Sequence, residues 1–112
     1  MKTLKLTIKK KWFDMILSGE KKEEYREIKP YWKDRIMSSL VVDKNEEVKH
    51  FSFKHFDAIH FFNGGYYSNK LPNFKIELKS IRTGTGKEQW GAVPGQKYFV
   101  LELGKILSTS NC

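Results

Sequence analysis

The sequence predicts an α+β domain: a small mixed β-barrel with one or two short helices. Three observations carry that expectation. Five or six segments have strand-like patterning and are separated by turn signals. One segment has a clear helical period, and a shorter one follows a proline. The chain has no βαβ rhythm, internal repeat, heptad or Pro/Ser-rich linker, so strands joined by occasional helices describe it best.

The elements follow in order. Leu4, Leu6 and Ile8 alternate with Thr3, Lys5 and Thr7, the period of a strand with one buried face. Trp12, Met15 and Ile16 then take helical spacing, flanked by Phe13 and Leu17, and Gly19 suits the left-handed residue beyond a helix end. Lys9, Lys10 and Lys11 sit where the helix dipole disfavours cations, so they either precede the helix or are kept for a partner. Residues 21–28 have no helical stripe and read as extended. Pro30 opens a short helix or turn over residues 31–37. Leu40 to Val42 lead to an Asp43-Lys44-Asn45 turn, and residues 46–55 fit a strand, either as an added hairpin or as an excursion.

Residues 56–62 are apolar on both faces, which predicts a central strand closed by Asn63-Gly64-Gly65. Phe74, Ile76, Leu78 and Ile81 mark the next strand, ending in a Gly84-Thr85-Gly86 loop. Trp90-Gly91-Ala92-Val93-Pro94-Gly95 is a tight connection. Tyr98, Val100, Leu101 and Leu103 form the last strand, reaching to Ile106. Residues 1–107 are expected to form one domain and residues 108–112 a frayed tail.

Composition narrows the partners. The chain has 112 residues, of which 14% are aromatic, enough large rings to build a core despite a modest apolar fraction. A net charge of +8 favours an anionic partner. Residues 1–35 hold 11 Lys/Arg against 6 Asp/Glu, so 11 − 6 = +5 of that charge lies in this stretch. No run is long and apolar enough for a membrane span, and the first residues lack the apolar centre of a signal peptide. The expectation is a cytoplasmic protein with no membrane partner. Cys112 is the sole cysteine and forms no internal disulfide.

Metal and nucleophile chemistry find little support. His50, His55 and His60 lie five apart, matching no zinc spacing, so no metal and no cofactor are expected. No Ser-His-Asp or Cys-His motif is evident. Thr83-Gly84-Thr85-Gly86-Lys87 lacks phosphate-loop spacing and reads as a plain turn. Cations interleaved with rings are more informative. Lys9, Lys10, Lys11, Lys29, Lys33 and Arg35 form a candidate rim, with Tyr31, Trp32, Tyr66, Tyr67 and Trp90 as candidate stacking surfaces. That mixture suits single-stranded RNA, whose bases lie on rings while its backbone meets Lys and Arg. For any single ring, burial in the core with solvating lysines is the commoner explanation, because buried rings carry most of the packing in a small domain.

The stretch from Gly19 to Trp32 concentrates charge between apolar segments. On an extended segment Glu24, Arg26 and Ile28 share one face, and Glu23, Tyr25 and Glu27 the other. If Glu24, Arg26 and Lys21 are enclosed they must pair, because a lone buried charge is costly. Such a cluster offers two cations for a phosphate or carbonyl oxygen and a carboxylate to orient them. The alternative is an exposed strand with weak ion pairs.

Gly19-x-Lys21-x-x-Glu24-x-Arg26 resembles the G-x-K-x-x-E-x-R signature of ASCH domains, in the PUA-like superfamily. Phe62-Asn63-Gly64 in mid-chain and the closing Pro94-Gly95-Gln96-Lys97-Tyr98 segment are similar too, and the likeness is to small stand-alone bacterial and phage members. The resemblance implies a PUA-like pseudo-barrel with a cleft between barrel and helix for RNA or a nucleotide, flanked by the helices and lined by Lys21, Glu24 and Arg26; Lys29, Tyr31, Trp32, Asn63, Tyr66 and Trp90 are the further candidate binding residues. Some relatives hydrolyse acylated cytidine with a Lys, a Thr three residues on and a distant Glu. Lys21 matches that Lys, Glu24 stands at the Thr position, and Glu77 or Glu88 are candidates for the distant acid. A carboxylate does not replace a hydroxyl nucleophile, which argues against the same amidase activity. The expected function is therefore an RNA- or nucleotide-binding module. The alternative is a small hydrolase of modified nucleosides in which Lys21 and Glu24 are the acid–base pair.

Overall fold

Alternation in the first residues produces β1 (Thr3–Ile8), with Leu4, Leu6 and Ile8 buried. α1 (Lys10–Leu17) follows and buries Phe13 and Ile16. Its first turn contains Lys10 and Lys11, so of the three lysines only Lys9 precedes the helix. Lys10 is neutralised by Asp14 one turn on, at 2.6 Å. Gly19 takes φ 87°, and its N–H donates to the Ile16 carbonyl at 3.0 Å, ending the helix as a left-handed cap. β2 (Glu23–Glu27) and α2 (Pro30–Ile36) come next, with proline in the first turn of α2.

The structure, a computed structural model, describes residues 1–42, 44, 45 and 48–112, and the side chains of residues 39–42 and 48–51 lie outside that description. β3 (Met37–Val42) and β4 (Val48–Phe53) pair antiparallel as a separate two-stranded hairpin. This is the added-hairpin reading of the region. The expected roles of Asp43 in its turn and Glu46 at the start of its second strand lie outside the described residues, as does the His50 side chain.

β5 (Ala58–Asn63), β6 (Asn73–Thr85) and β7 (Lys97–Ser110) complete a mixed five-stranded sheet of order β1-β5-β6-β7-β2. β5 is central and apolar on both faces, parallel to β1 and antiparallel to β6. β6 runs through Gly84 and Thr85, which the sequence assigns to a loop, because both residues pair with β7. β7 likewise passes Ile106 and stays paired to Ser110, opposite Asn73. Polar side chains do not prevent a backbone ladder from continuing.

The sheet is open, not a closed barrel: β1 and β2 are its two edges. One side chain joins them. The Arg26 Nη2 on β2 donates to the Thr7 carbonyl on β1 at 3.1 Å. The core fills the concave face with Leu4, Leu6, Phe13, Ile59, Phe61, Phe74, Ile76 and Leu101, covered by α1. Trp32 of α2 packs against the same cluster. The cleft opens where the two edges approach.

Candidate functional site

Register explains why charge sits on the core side of β2. Glu24 lies opposite Leu101, and Arg26 opposite Phe99. Cross-strand partners share a face, so both charged side chains point where Leu101 and Phe99 point, into the interior. Tyr25 lies opposite Val100 and points away with Glu23. The charges on the inner face therefore need partners, and they supply them to one another.

Lys21 enters from the turn after α1, its N–H held by the Met15 carbonyl at 2.9 Å. Its ammonium donates to Glu24 Oε1 at 2.8 Å and to the Glu23 carbonyl. The remaining side of the charge faces rings, with Trp12 at 5.7 Å and Tyr25 at 5.0 Å from their centroids. No part of the Lys21 side chain reaches solvent. Burial holds its amine below the ordinary lysine value, against the pull of Glu24 in the other direction.

Glu24 is the hinge of the cluster. Its other oxygen, Oε2, accepts from Arg26 Nη2 at 2.6 Å. Arg26 also lies 5.0 Å from the Trp32 ring centroid and remains 15% exposed. Its Nε is buried and finds no partner. The order is thus Lys21 inside, Glu24 in the middle and Arg26 at the opening.

A cleft of 620 Å³ lies against this opening. Glu24, Arg26 and Glu27 of β2 form one wall, Thr7 and Lys9 the opposite one, and Trp12, Trp90 and Tyr98 add rings. The 3-10 turn Glu88–Trp90 ends at Gly91, which has φ 102°. A Cβ at Gly91 would lie 3.0 Å from the Trp12 ring, so glycine allows both the turn and the close approach. The Val93 N–H donates to the Tyr98 hydroxyl at 2.9 Å and pins the loop that rims the cleft.

Behind the strand, Tyr25 donates its hydroxyl to Glu23 Oε1 at 2.8 Å and accepts the Lys87 N–H at 2.9 Å. Arg82 holds the other Glu23 oxygen at 2.9 Å. Burial and the Glu23 carboxylate push the Tyr25 phenol up to about 12. Gly86 is required here, since a Cβ would come within 2.5 Å of the Tyr25 ring. Glu23 is therefore a largely buried anchor that ties Tyr25 and Arg82 together.

The other expected site residues are distributed unevenly. Trp90 lines the cleft but is mostly buried. Trp32 backs Arg26 from the core side. Asn63 ends β5 next to Gly64, which lines the cleft. Lys29 is exposed and pairs with Glu27 at 3.0 Å. Tyr31 and Tyr66 are exposed and outside the cleft, and neither Glu77 nor Glu88 lines it. His60 hydrogen-bonds Asn73 and His55 pairs with Asp57. Among the described residues no group of three His, Cys, Asp or Glu side chains is placed to hold a metal, and no helix is long and apolar enough to cross a membrane.

Sequence reasoning missed Thr7, Trp12, Glu27 and Tyr98 as cleft residues, together with Gly91, Val93 and Gln96 of the rim loop. Thr7 contributes a backbone carbonyl, for which a sequence has no signal. The loop residues had one, the turn chemistry of Trp90-Gly91 and Pro94-Gly95, but only folding brings that loop opposite β2. No family model, curated protein or solved structure matches this chain.

Proposed function

We propose that the chain is a small RNA- or nucleotide-binding module whose cleft receives an unstacked base, in the manner of ASCH and other PUA-like pseudo-barrels. The observation that carries this reading is Arg26, whose Nη2 is fixed by Glu24 and the Thr7 carbonyl at the cleft opening while the side chain stays 15% exposed. A guanidinium held on one side and open on the other is pre-organised to donate to a base carbonyl or phosphate oxygen. Glu27 holds Lys29 through Oε2 and can offer its other carboxylate oxygen to a base amino group, and Trp12 and Tyr98 offer ring surface. Lys21 serves the site from behind, as the buried cation that holds Glu24 in place.

Fluorescence anisotropy with labelled RNA oligonucleotides at low salt tests the reading. Binding is expected to weaken with salt, with a log–log slope of about −0.7 per phosphate engaged. Arg26→Gln is expected to lower affinity at least about tenfold, the scale of one lost charge-assisted contact. No detectable binding at low salt, or an unchanged affinity in Arg26→Gln, overturns it.

A second reading, hydrolysis of acylated nucleosides, is favoured by the 2.8 Å Lys21–Glu24 contact and the depressed lysine amine. It is weaker because Lys21 is wholly enclosed and both Glu24 oxygens are engaged. Turnover of acylated cytidine that disappears in Glu24→Gln would establish it, and no turnover by the parent protein would remove it.

A further inference from the structure

Arg26 has a counterpart one step along β1. In a parallel pair the backbone groups of alternate residues face the neighbouring strand. The Lys2 and Ile8 carbonyls accept from Asp57 and Gly64 on the β5 side. The Lys5 and Thr7 carbonyls therefore belong to the outer edge, and arginines occupy them. Arg26 takes Thr7 at 3.1 Å, and Arg35 Nη2 takes Lys5 at 3.2 Å. Arg35 also has a buried Nε without a partner. The two guanidiniums share the Trp32 ring, at 5.0 and 5.9 Å, and Arg35 lies 5.6 Å from Tyr31. A continuous line of cations and rings follows the free edge of β1 away from the cleft.

That line ends in a second groove of 420 Å³, lined by Lys5, Arg35 and Lys54 with Phe56 and Tyr67. Its charge differs from the cleft's. The cleft sets the carboxylates of Glu24 and Glu27 beside Lys9 and Arg26, whereas the groove is lined by three cations and no carboxylate. Among the described residues, two groove cations have only backbone carbonyl or phenol hydrogen-bond partners: Arg35 meets Lys5 and Tyr31, and Lys54 meets Asp34 O at 2.7 Å. Tyr67 is 46% exposed and held by its hydroxyl on the Lys5 carbonyl. A lining of mixed sign suits the donors and acceptors of a base, and a purely cationic one suits phosphate.

We propose that the groove between β1 and α2 is a phosphodiester site, and that the ligand is a single-stranded RNA running from the cleft along the β1 edge. The inference rests on the base-binding reading of the cleft and adds that the natural ligand is a polynucleotide, not a free nucleotide. From Thr3 to Lys9 the strand covers about 20 Å at 3.3 Å per residue, which suits a site of at least about four nucleotides.

The test compares a random-sequence octaribonucleotide pool with the four nucleoside 5′-monophosphates, by anisotropy competition across a salt series. Lys5→Gln with Lys54→Gln removes two exposed groove charges and leaves the Arg35 contact to β1 intact; Arg35→Gln is examined separately, with folding checked by circular dichroism. The double variant is expected to lose about tenfold in octamer affinity and to reduce the salt slope by about 1.4, two phosphates' worth, with monophosphate affinity unchanged. If octamer affinity and slope match the parent while Arg26→Gln still weakens binding, the groove proposal fails and the cleft reading survives. If the parent binds no octamer, or Arg26→Gln binds it as well as the parent, the cleft reading fails and the groove proposal with it.

Discussion

Glu24 is the residue on which the buried charges depend. It is the one carboxylate between two cations, one of them wholly enclosed. Removing one member of a buried charge pair leaves the other unpaired, at about 3 kcal/mol or more. Glu24→Gln is expected to show that loss in urea unfolding. Lys21→Met removes the enclosed cation while Glu24 keeps Arg26, so it is expected to cost about 2 kcal/mol less. The reverse order would mean that Lys21, not Glu24, organises the cluster. Tyr25 allows a pH test. Its phenol ionises normally near 10.0 and is raised to about 12 in the folded protein. The stability it contributes is therefore fully present below 10.0 and is lost as pH rises through about 12. Tyr25→Phe removes both hydroxyl contacts, costs about 1–2 kcal/mol near neutrality and should flatten that alkaline loss. A variant whose stability falls equally steeply above pH 10.0 would refute the assignment.

At the scale of elements, the notable feature is how the open sheet protects its first edge. An unpaired strand edge is a template for pairing with another chain. β1 has its outer carbonyls at Lys5 and Thr7 occupied by Arg35 and Arg26, one arginine from α2 and one from the opposite sheet edge. The same side chains that line the grooves thus cover the edge. Arg26→Ala combined with Arg35→Ala is expected to produce concentration-dependent self-association in sedimentation velocity, while each single variant remains closer to the parent. A double variant that stays monomeric at every concentration would show that the edge needs no such cover.

For the whole molecule, charge is distributed by tertiary placement more than by sequence position. The excess of +5 in residues 1–35 is real, but within that stretch Lys10 is cancelled by Asp14, Lys29 by Glu27 and Lys21 by Glu24. The open cationic surface combines Lys5 of β1, Arg35 of α2 and Lys54 beyond β4, three separate parts of the chain. On the proposed RNA-binding reading, the salt dependence would be a property of the groove and cleft together.

Much of this was legible in the residues. Alternation in β1, double-faced apolarity in β5 and Gly19 after a helical stripe mark elements that local periodicity and backbone sterics determine. The i, i+2 spacing put Glu24 and Arg26 on one face of an extended segment, but the residues left open whether that face was an enclosed cluster paired with Lys21 or an exposed strand with weak ion pairs. Three things were decided only by the tertiary structure. The sheet stays open, since closure depends on how far β1 and β2 approach and only a side chain spans the gap. Lys21 is enclosed and Arg26 presented, since burial depends on where α1 and Trp12 lie. Lys5, Arg35 and Lys54 converge from long sequence separations. Periodicity reports which face a residue takes; long-range packing decides what that face meets.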